Sequence, residues 1–237
     1  YSQVRNHAVK HTKTDFIFFL DTEAQLLPKT LSKLIVEIKK NKGSEIKSWE
    51  LRNYPIEQTK NYNPLTGETS WFSSGGVVIE KSVFKQVNGF DSNLSTPKAT
   101  VDISWRILLY NYKIRYLTNV LISKSSEQIR PGNEENDKYE TLLDELYLRN
   151  KFGSIKEIIV GVFLYFATKG PNIKKRILLL LFIKNTHISL SGLLWRISHR
   201  DKINKLKNTT YGIQFKDEAY GASRIDKPYI NRQLTQT

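Results

Sequence analysis

FIFFLDTE, residues 16–23, is the stretch on which the reading of this chain turns. Its five apolar residues, bounded by Asp15 and Asp21, have the pattern of a parallel strand buried on both faces. The run ends at Asp21-Thr22-Glu23, and in open α/β sheets ligands gather beyond the carboxyl ends of the strands. Alternate residues after a strand can aim two carboxylates at one point, so Asp21 and Glu23 are candidate donor and metal ligands. Their hard oxygens suit Mg²⁺ or Mn²⁺, which keeps several waters and bridges to substrate phosphates. An Asp at a strand end also serves simply to cap the next helix, and on the triplet alone both readings stand.

Outward from this stretch, residues 1–15 read as a helix running into the strand, and LPKTLSKLIVEIKKNKG as an amphipathic helix. Pro28 falls near the first turn of that helix, and Gly43 is its expected C-cap. GGVVIEKSVFKQVNGF predicts strand, short helix and turn, and residues 113–123, KIRYLTNVLIS, predict a strand with imperfect alternation. From about residue 138 the pattern turns helical: YETLLDELYLRNKF, SIKEIIVGVFLYFATKG, a Gly170-Pro171 break, then IKKRILLLLFIKN. The last thirty residues read as loop-rich, and no internal repeat is visible.

Composition bounds the chemistry. The 237 residues are 39% hydrophobic and 11% aromatic, enough to bury one or two ordinary cores. The absence of Cys excludes disulfides, thiolate metal sites and a Cys nucleophile, and fits a reducing compartment. His7, His11, His187 and His199 have no metal-ligand spacing, and no Ser/His/Asp set is recognisable. The longest apolar runs, residues 158–167 and 177–183, are shorter than the roughly 20 residues of a spanning helix.

The net charge of +14 is uneven. Residues 151–237 hold 16 Lys+Arg against 5 Asp+Glu, an excess of 11, and residues 1–150 hold 21 against 18, an excess of 3. Lys169, Lys174, Lys175, Arg176 and Lys184 border the apolar runs of the basic part, an arrangement that meets acidic lipid headgroups at a membrane surface. Packing of those helices on the preceding domain, with the lysines in water, is the competing reading. Nucleic acid is not expected as a partner, because the basic residues are not interleaved with aromatics in a known binding pattern.

Residues 3–123 are similar to the family 2 glycosyltransferases of bacterial surface-polysaccharide synthesis. The resemblance rests on RN near the start, FFLDTE, the SSGG strand entry, the NGFD turn and the DISWR helix, taken together. A subgroup with ELR and TGETSW before the glycine pair, and a helical extension ending in segments like YGIQFKDEAYGAS, resembles it further. That subgroup often occurs as one half of a chain with a second transferase domain.

The resemblance implies an α/β fold of the GT-A type over residues 1–135, lacking its first strands and donor base pocket. A basic helical extension and tail over residues 136–237 would follow it. It also implies an inverting, hexosyl-type enzyme that moves a sugar from a nucleotide-sugar donor to a saccharide or lipid-linked acceptor. The expected location is the cytoplasmic, inner face of the cell membrane.

Carried over by position, Asp21 and Glu23 take the place of the family's metal and diphosphate acids, with Glu in place of the second Asp, and Mn²⁺ or Mg²⁺ is the implied cofactor. Gly75 and Gly76 match a loop where backbone approaches the acceptor sugar, and Trp71 and Trp105 match positions near the acceptor, where stacking on a sugar and burial in the core compete. Two departures stand out. The acidic pair that should precede DISWR is Ala99-Thr100, and a Thr hydroxyl has no pKa suited to a general base. Asp102 is then the remaining catalytic candidate, although its spacing to Arg106 equally fits an i,i+4 ion pair. The metal-binding His expected at the end of the last strand is Lys124. A catalytically inactive relative, acting as scaffold or glycan-binding module, and a basic membrane-surface module are the alternative functions.

Overall fold

The computed structural model describes residues 2–57, 62–94, 96–124, 134–167, 186–213, 215 and 229–230. Helix α1 (Ser2–His11) leads into β1 (Phe16–Leu20), β2 (Ala24–Leu26) and α2 (Thr30–Lys40). There follow β3 (Ile46–Tyr54), β4 (Ile56–Glu57), β5 (Glu68–Thr69), β6 (Gly76–Glu80), α3 (Lys81–Gln86), α4 (Thr96–Leu109) and β7 (Lys113–Lys124). Helices α5 (Glu134–Phe152), α6 (Ile155–Ala167) and α7 (Thr186–Lys207) come next, and a short β8 (Tyr229–Ile230) pairs with β4. The apolar run 177–183, the five basic residues bordering it and most of YGIQFKDEAYGAS lie outside the described residues.

The main sheet has the order β1-β6-β3-β7-β2, with β5 on β7. β3 and β7 run parallel, and β6 runs antiparallel to both β1 and β3. This corrects the expectation for residues 16–20: β1 pairs antiparallel with β6, its one partner among the described strands, and its burial alternates. Ile17 and Phe19 enter the larger core with α3 and α4, while Phe18 and Leu20 lie partly covered against the smaller core under α2. An apolar run over five residues does not distinguish these two surroundings.

Asn41 ends α2 with its own side chain, Nδ2 donating to the Glu37 carbonyl at 2.6 Å, while Gly43 lies two residues further on in a turn at φ +81°. Helix α7, 22 residues long, falls within the expected helical extension, although no apolar run or turn signal marks residues 186–207 as an element of their own. Its buried side shows where its stability comes from: Trp195 meets Phe152 edge-on at 5.1 Å, and Ile203 is buried in the larger core. Tertiary packing of one face, more than propensity, makes such a helix.

The larger core joins the sheet, α3, α4 and the second half of α5: Phe19, Phe72, Phe84, Phe90 and Trp105 lie in one cluster with Leu148 and Phe152. A polar seam reinforces the junction. The Asp102 carboxylate on α4 accepts from Arg106 Nε at 2.8 Å, from Arg106 NH2, and from Lys151 Nζ on α5 at 2.6 Å. Lys151 Nζ also donates to Asp91 at 2.8 Å, and the Tyr147 hydroxyl donates to the same carboxylate at 2.9 Å. Burial pushes the Asp91 carboxyl up, but the Lys151 charge and hydrogen bonds from Lys151, the Asn93 N–H and Tyr147 outweigh it and hold it below the usual range. The Tyr147 phenol is pushed up, first by burial and then by the Asp91 charge.

Candidate functional site

β1 and β2 lie at opposite edges of the strand path, yet only residues 21–23 connect them. Four chain steps from Leu20 to Ala24 span at most about 14 Å. Five strands laid flat would be wider than that. The sheet therefore curls at this end until its two edges come within reach of one tight turn. The Asp21 N–H donates to the Gly75 carbonyl at 3.0 Å, and the Ala24 N–H to the Asp21 carbonyl at 3.0 Å. Leu20 pairs with Gly76 on one side and Ala24 with Lys124 on the other. Both acids are thus drawn across the end of the sheet, beyond the carboxyl ends of β1, β3 and β7.

The glycine pair sits inside this curl. A Cβ on Gly76 would stand 2.8 Å from Ile122 Cδ1 and 3.7 Å from Leu20 Cδ1, and one on Gly75 would stand 2.6 Å from Asn53 Oδ1. Both glycines are buried, and the two positions are small because Asn53 and Ile122 close on them.

Two polar residues fix the segment that leads into the glycines. Glu50, buried on β3, accepts from the Ser73 N–H at 2.8 Å and the Ser73 hydroxyl at 2.6 Å. Ser104 on α4 accepts from the Phe72 N–H at 3.1 Å and donates to the Thr100 carbonyl at 2.6 Å. Thr100, where the resemblance led a base to be expected, is therefore one hydrogen-bonded residue away from the Phe72–Ser73 segment. Sequence reasoning did not single out Glu50, Ser73, Asn53 or Ser104. Glu50 belongs to the ELR stretch that carried part of the resemblance, so a signal was there without a role attached.

The other candidates lie elsewhere. Asp102 is fully buried, with one oxygen taken by Arg106 and the other by Lys151, so the i,i+4 pair forms. Trp105 is fully buried too, edge-on to Phe152 at 5.1 Å and to Phe215 at 5.0 Å, and Trp71 is buried in the same core. Their surroundings are aromatic packing and ion pairs, not an open groove. A cavity of about 800 Å³, lined by Lys13, Phe16, Lys47, Trp49 and Glu80 among others, lies at the opposite end of the strands, away from the acids and the glycines.

A divalent cation fits the donor set in one respect. Asp21 and Glu23 supply two carboxylates, and Mg²⁺ is commonly bound by one or two carboxylates with substrate phosphates and water completing its shell. No group of three or more His, Asp or Glu residues that could hold a metal is found among the described residues, and Lys124 stands opposite Ala24 where a His ligand was to be expected.

No family model matches the sequence, and no curated protein matches it. Solved structures do. GalNAc-T7 with UDP, GalNAc and Mn²⁺ is similar at a TM-score of 0.52 and 12% identity, over 88% of this chain and 44% of that one. TarS from S. aureus, residues 1–349, is similar at 0.49 and 14%, over 92% and 74%. A mannosyltransferase from Pyrobaculum calidifontis, in complex with GDP-Man and Mn²⁺, is similar at 0.44 and 8%, over 86% and 65%. The chain spans less than half of GalNAc-T7 and 65% of the mannosyltransferase. At these identities the likeness concerns the fold alone: the chain has the α/β fold of GT-A glycosyltransferases.

Proposed function

We propose that this chain is the transferase part of a protein that moves a sugar from a nucleotide-sugar donor to a saccharide acceptor, with inversion, in cell-surface polysaccharide synthesis. One observation carries the reading: the acid-bearing turn drawn across the curled sheet end, hydrogen-bonded to Gly75. Asp21 and Glu23 would hold Mn²⁺ or Mg²⁺ against the donor diphosphate. When bound, such a cation neutralises charge on the departing diphosphate. By the resemblance Gly75 and Gly76 would stand near the acceptor ring, and Glu50 and Ser104 keep the segment before them in place. Isothermal titration with a panel of UDP- and GDP-sugars, with and without Mn²⁺, tests this. Metal-dependent binding by the wild type that Asp21→Ala abolishes is expected; binding unchanged in Asp21→Ala sinks the assignment.

A second reading has its own support. With Ala99-Thr100 at the base position and Asp102 closed off by two cations, no carboxylate of α4 is poised to accept the acceptor's proton. A chain of this kind binds a donor or glycan and transfers slowly, as a scaffold or binding module. Thr100→Asp should then raise turnover, within the 10²- to 10⁴-fold range typical of general-base catalysis, roughly. Fast wild-type transfer that Thr100→Asp leaves unchanged would dismiss the scaffold reading.

A further inference from the structure

Helices α6 and α7 both pack on α5, and each leaves an apolar line on its other side. On α6, Ile155, Ile159 and Phe163 recur every four residues, with Val160 beside them; on α7, Leu190, Leu194 and Ile197 do the same at spacings of four and three. These seven side chains are 47–72% exposed. Their opposite faces are accounted for. Gly161 lies against Arg149 and Leu146, Gly192 against Tyr147, and Trp195 against Phe152. Lys207 on α7 pairs with Glu157 on α6 at 2.7 Å, tying the two helices together at one end.

The charge around the α7 line is mainly basic: Asp201, one turn past Ile197, continues the line itself, and cations stand on both sides of it. At 100° per residue, Arg200 and Lys205 fall on opposite flanks of the Leu190–Leu194–Ile197 line, and Arg196 follows Arg200 on the same flank. Asp201 is the one acid of the helix against five Lys and Arg. Arg196, Arg200 and Lys205 have no carboxylate partner among the described residues. An apolar line with basic flanks is the arrangement by which a helix lies in the headgroup region of an anionic bilayer, apolar side down and cations reaching the phosphates. A second copy fits less well, since pairing these faces would bring the unpaired arginines and lysines of both copies together. No helix among the described residues is long and apolar enough to cross a membrane.

We propose that the exposed apolar lines of α6 and α7, with the basic flanks of α7, dock this protein on an anionic lipid surface. The test uses the full chain, cosedimented with vesicles of phosphatidylcholine alone or with phosphatidylglycerol added, at low and high salt. Binding to the anionic vesicles at low salt, weakened by salt and weak on neutral vesicles, is expected. The pair Arg200→Gln and Lys205→Gln should lower affinity roughly thirtyfold, about fivefold for each cation near an anionic surface. The pair Leu194→Ser and Ile197→Ser should lower it on both kinds of vesicle, with thermal melting unchanged because the side chains are exposed. Wild-type binding that ignores lipid charge and salt overturns the proposal. So does a concentration-dependent dimer in light scattering that the Ser pair abolishes, which would give the face to a second copy, and so does undiminished binding by both variant pairs. Docking is read independently of sugar transfer, so failure here leaves the donor-binding experiment unaffected.

Discussion

Lys98, in the first turn of α4, has a side chain 1% exposed with Glu145 Oε2 at 3.9 Å. Burial pulls its ammonium down to about 7, against the opposite pull of Glu145 and Asp144, while Arg149 adds to the depression. Between that value and the ordinary 10.5 the unfolded chain holds a proton that the native chain has released, so this residue makes stability rise with pH across the interval. Below about 7 the cost of burying the ammonium is fully present. Lys98→Met should therefore raise the denaturant midpoint at pH 6 and gain little at pH 10. A variant equally destabilised at both pH values would mean that the ion pair with Glu145 outweighs the burial cost. Asp102 invites the opposite experiment. Removing its charge leaves Arg106 and Lys151 buried with less compensation, a loss of about 3–5 kcal/mol for a broken buried pair. Asp102→Asn should thus show itself in chemical denaturation; a variant of native stability that had lost only transfer would restore Asp102 as the base.

Among the elements, the segment before β6 depends on α4 through one hydroxyl. Ser104→Ala takes the acceptor from the buried Phe72 N–H, which should cost about 1–3 kcal/mol in urea unfolding. An unchanged midpoint would show that the backbone finds another partner. The same elements show which parts of the fold were legible in the chain. The strand, short helix and turn of residues 75–90 and the helices α1, α2, α5 and α6 follow from apolar period and turn residues, which are local signals. The direction of β1 was not legible, because it depends on which strand comes to lie beside it. Of the motifs, RN and NGFD prove to be partners: Asn6 Nδ2 donates to the Phe90 carbonyl at 2.7 Å and Oδ1 accepts from the Phe90 N–H at 2.8 Å, with Gly89 at φ +62° between them. They fasten α1 to the turn after α3. The DTE turn and the glycine pair, far apart in sequence, do meet. Glu50 and Ser104 could not have been found without knowing what lies across from them.

At the scale of the molecule, α5 shares its core and its ions with the α/β part, so the chain should melt in one transition followed alike by tryptophan fluorescence and far-ultraviolet circular dichroism. Two separate transitions would contradict the shared core. Acid should act on the same junction. Asp91 is held below its ordinary 3.8 through Lys151, and Glu157 is held below 4.5: burial pushes it up, but hydrogen bonds from Lys207 and Ser154 and the Lys207 charge prevail. A carboxyl depressed in the native state contributes stability that is complete above its unfolded pKa and is lost as pH falls through the native value. Stability should hold down to about pH 5 and fall below about 4, and Lys151→Met should flatten that fall; an equally steep fall in the variant would place the acid sensitivity elsewhere. The link between β1 and β2 works like a drawstring whose length is set by the width it must close. The link is a hydrogen-bonded turn, the Ala24 N–H donating to the Asp21 carbonyl at 3.0 Å, so changing its length would disturb both that bond and the strand pairing on either side. Drift in the identity of residues 21–23 is therefore tolerated where drift in their number is not. A descendant that had lost all transfer would still carry a three-residue link, so the spacing of its acids speaks for the shape of the mouth, and only their carboxylates speak for chemistry.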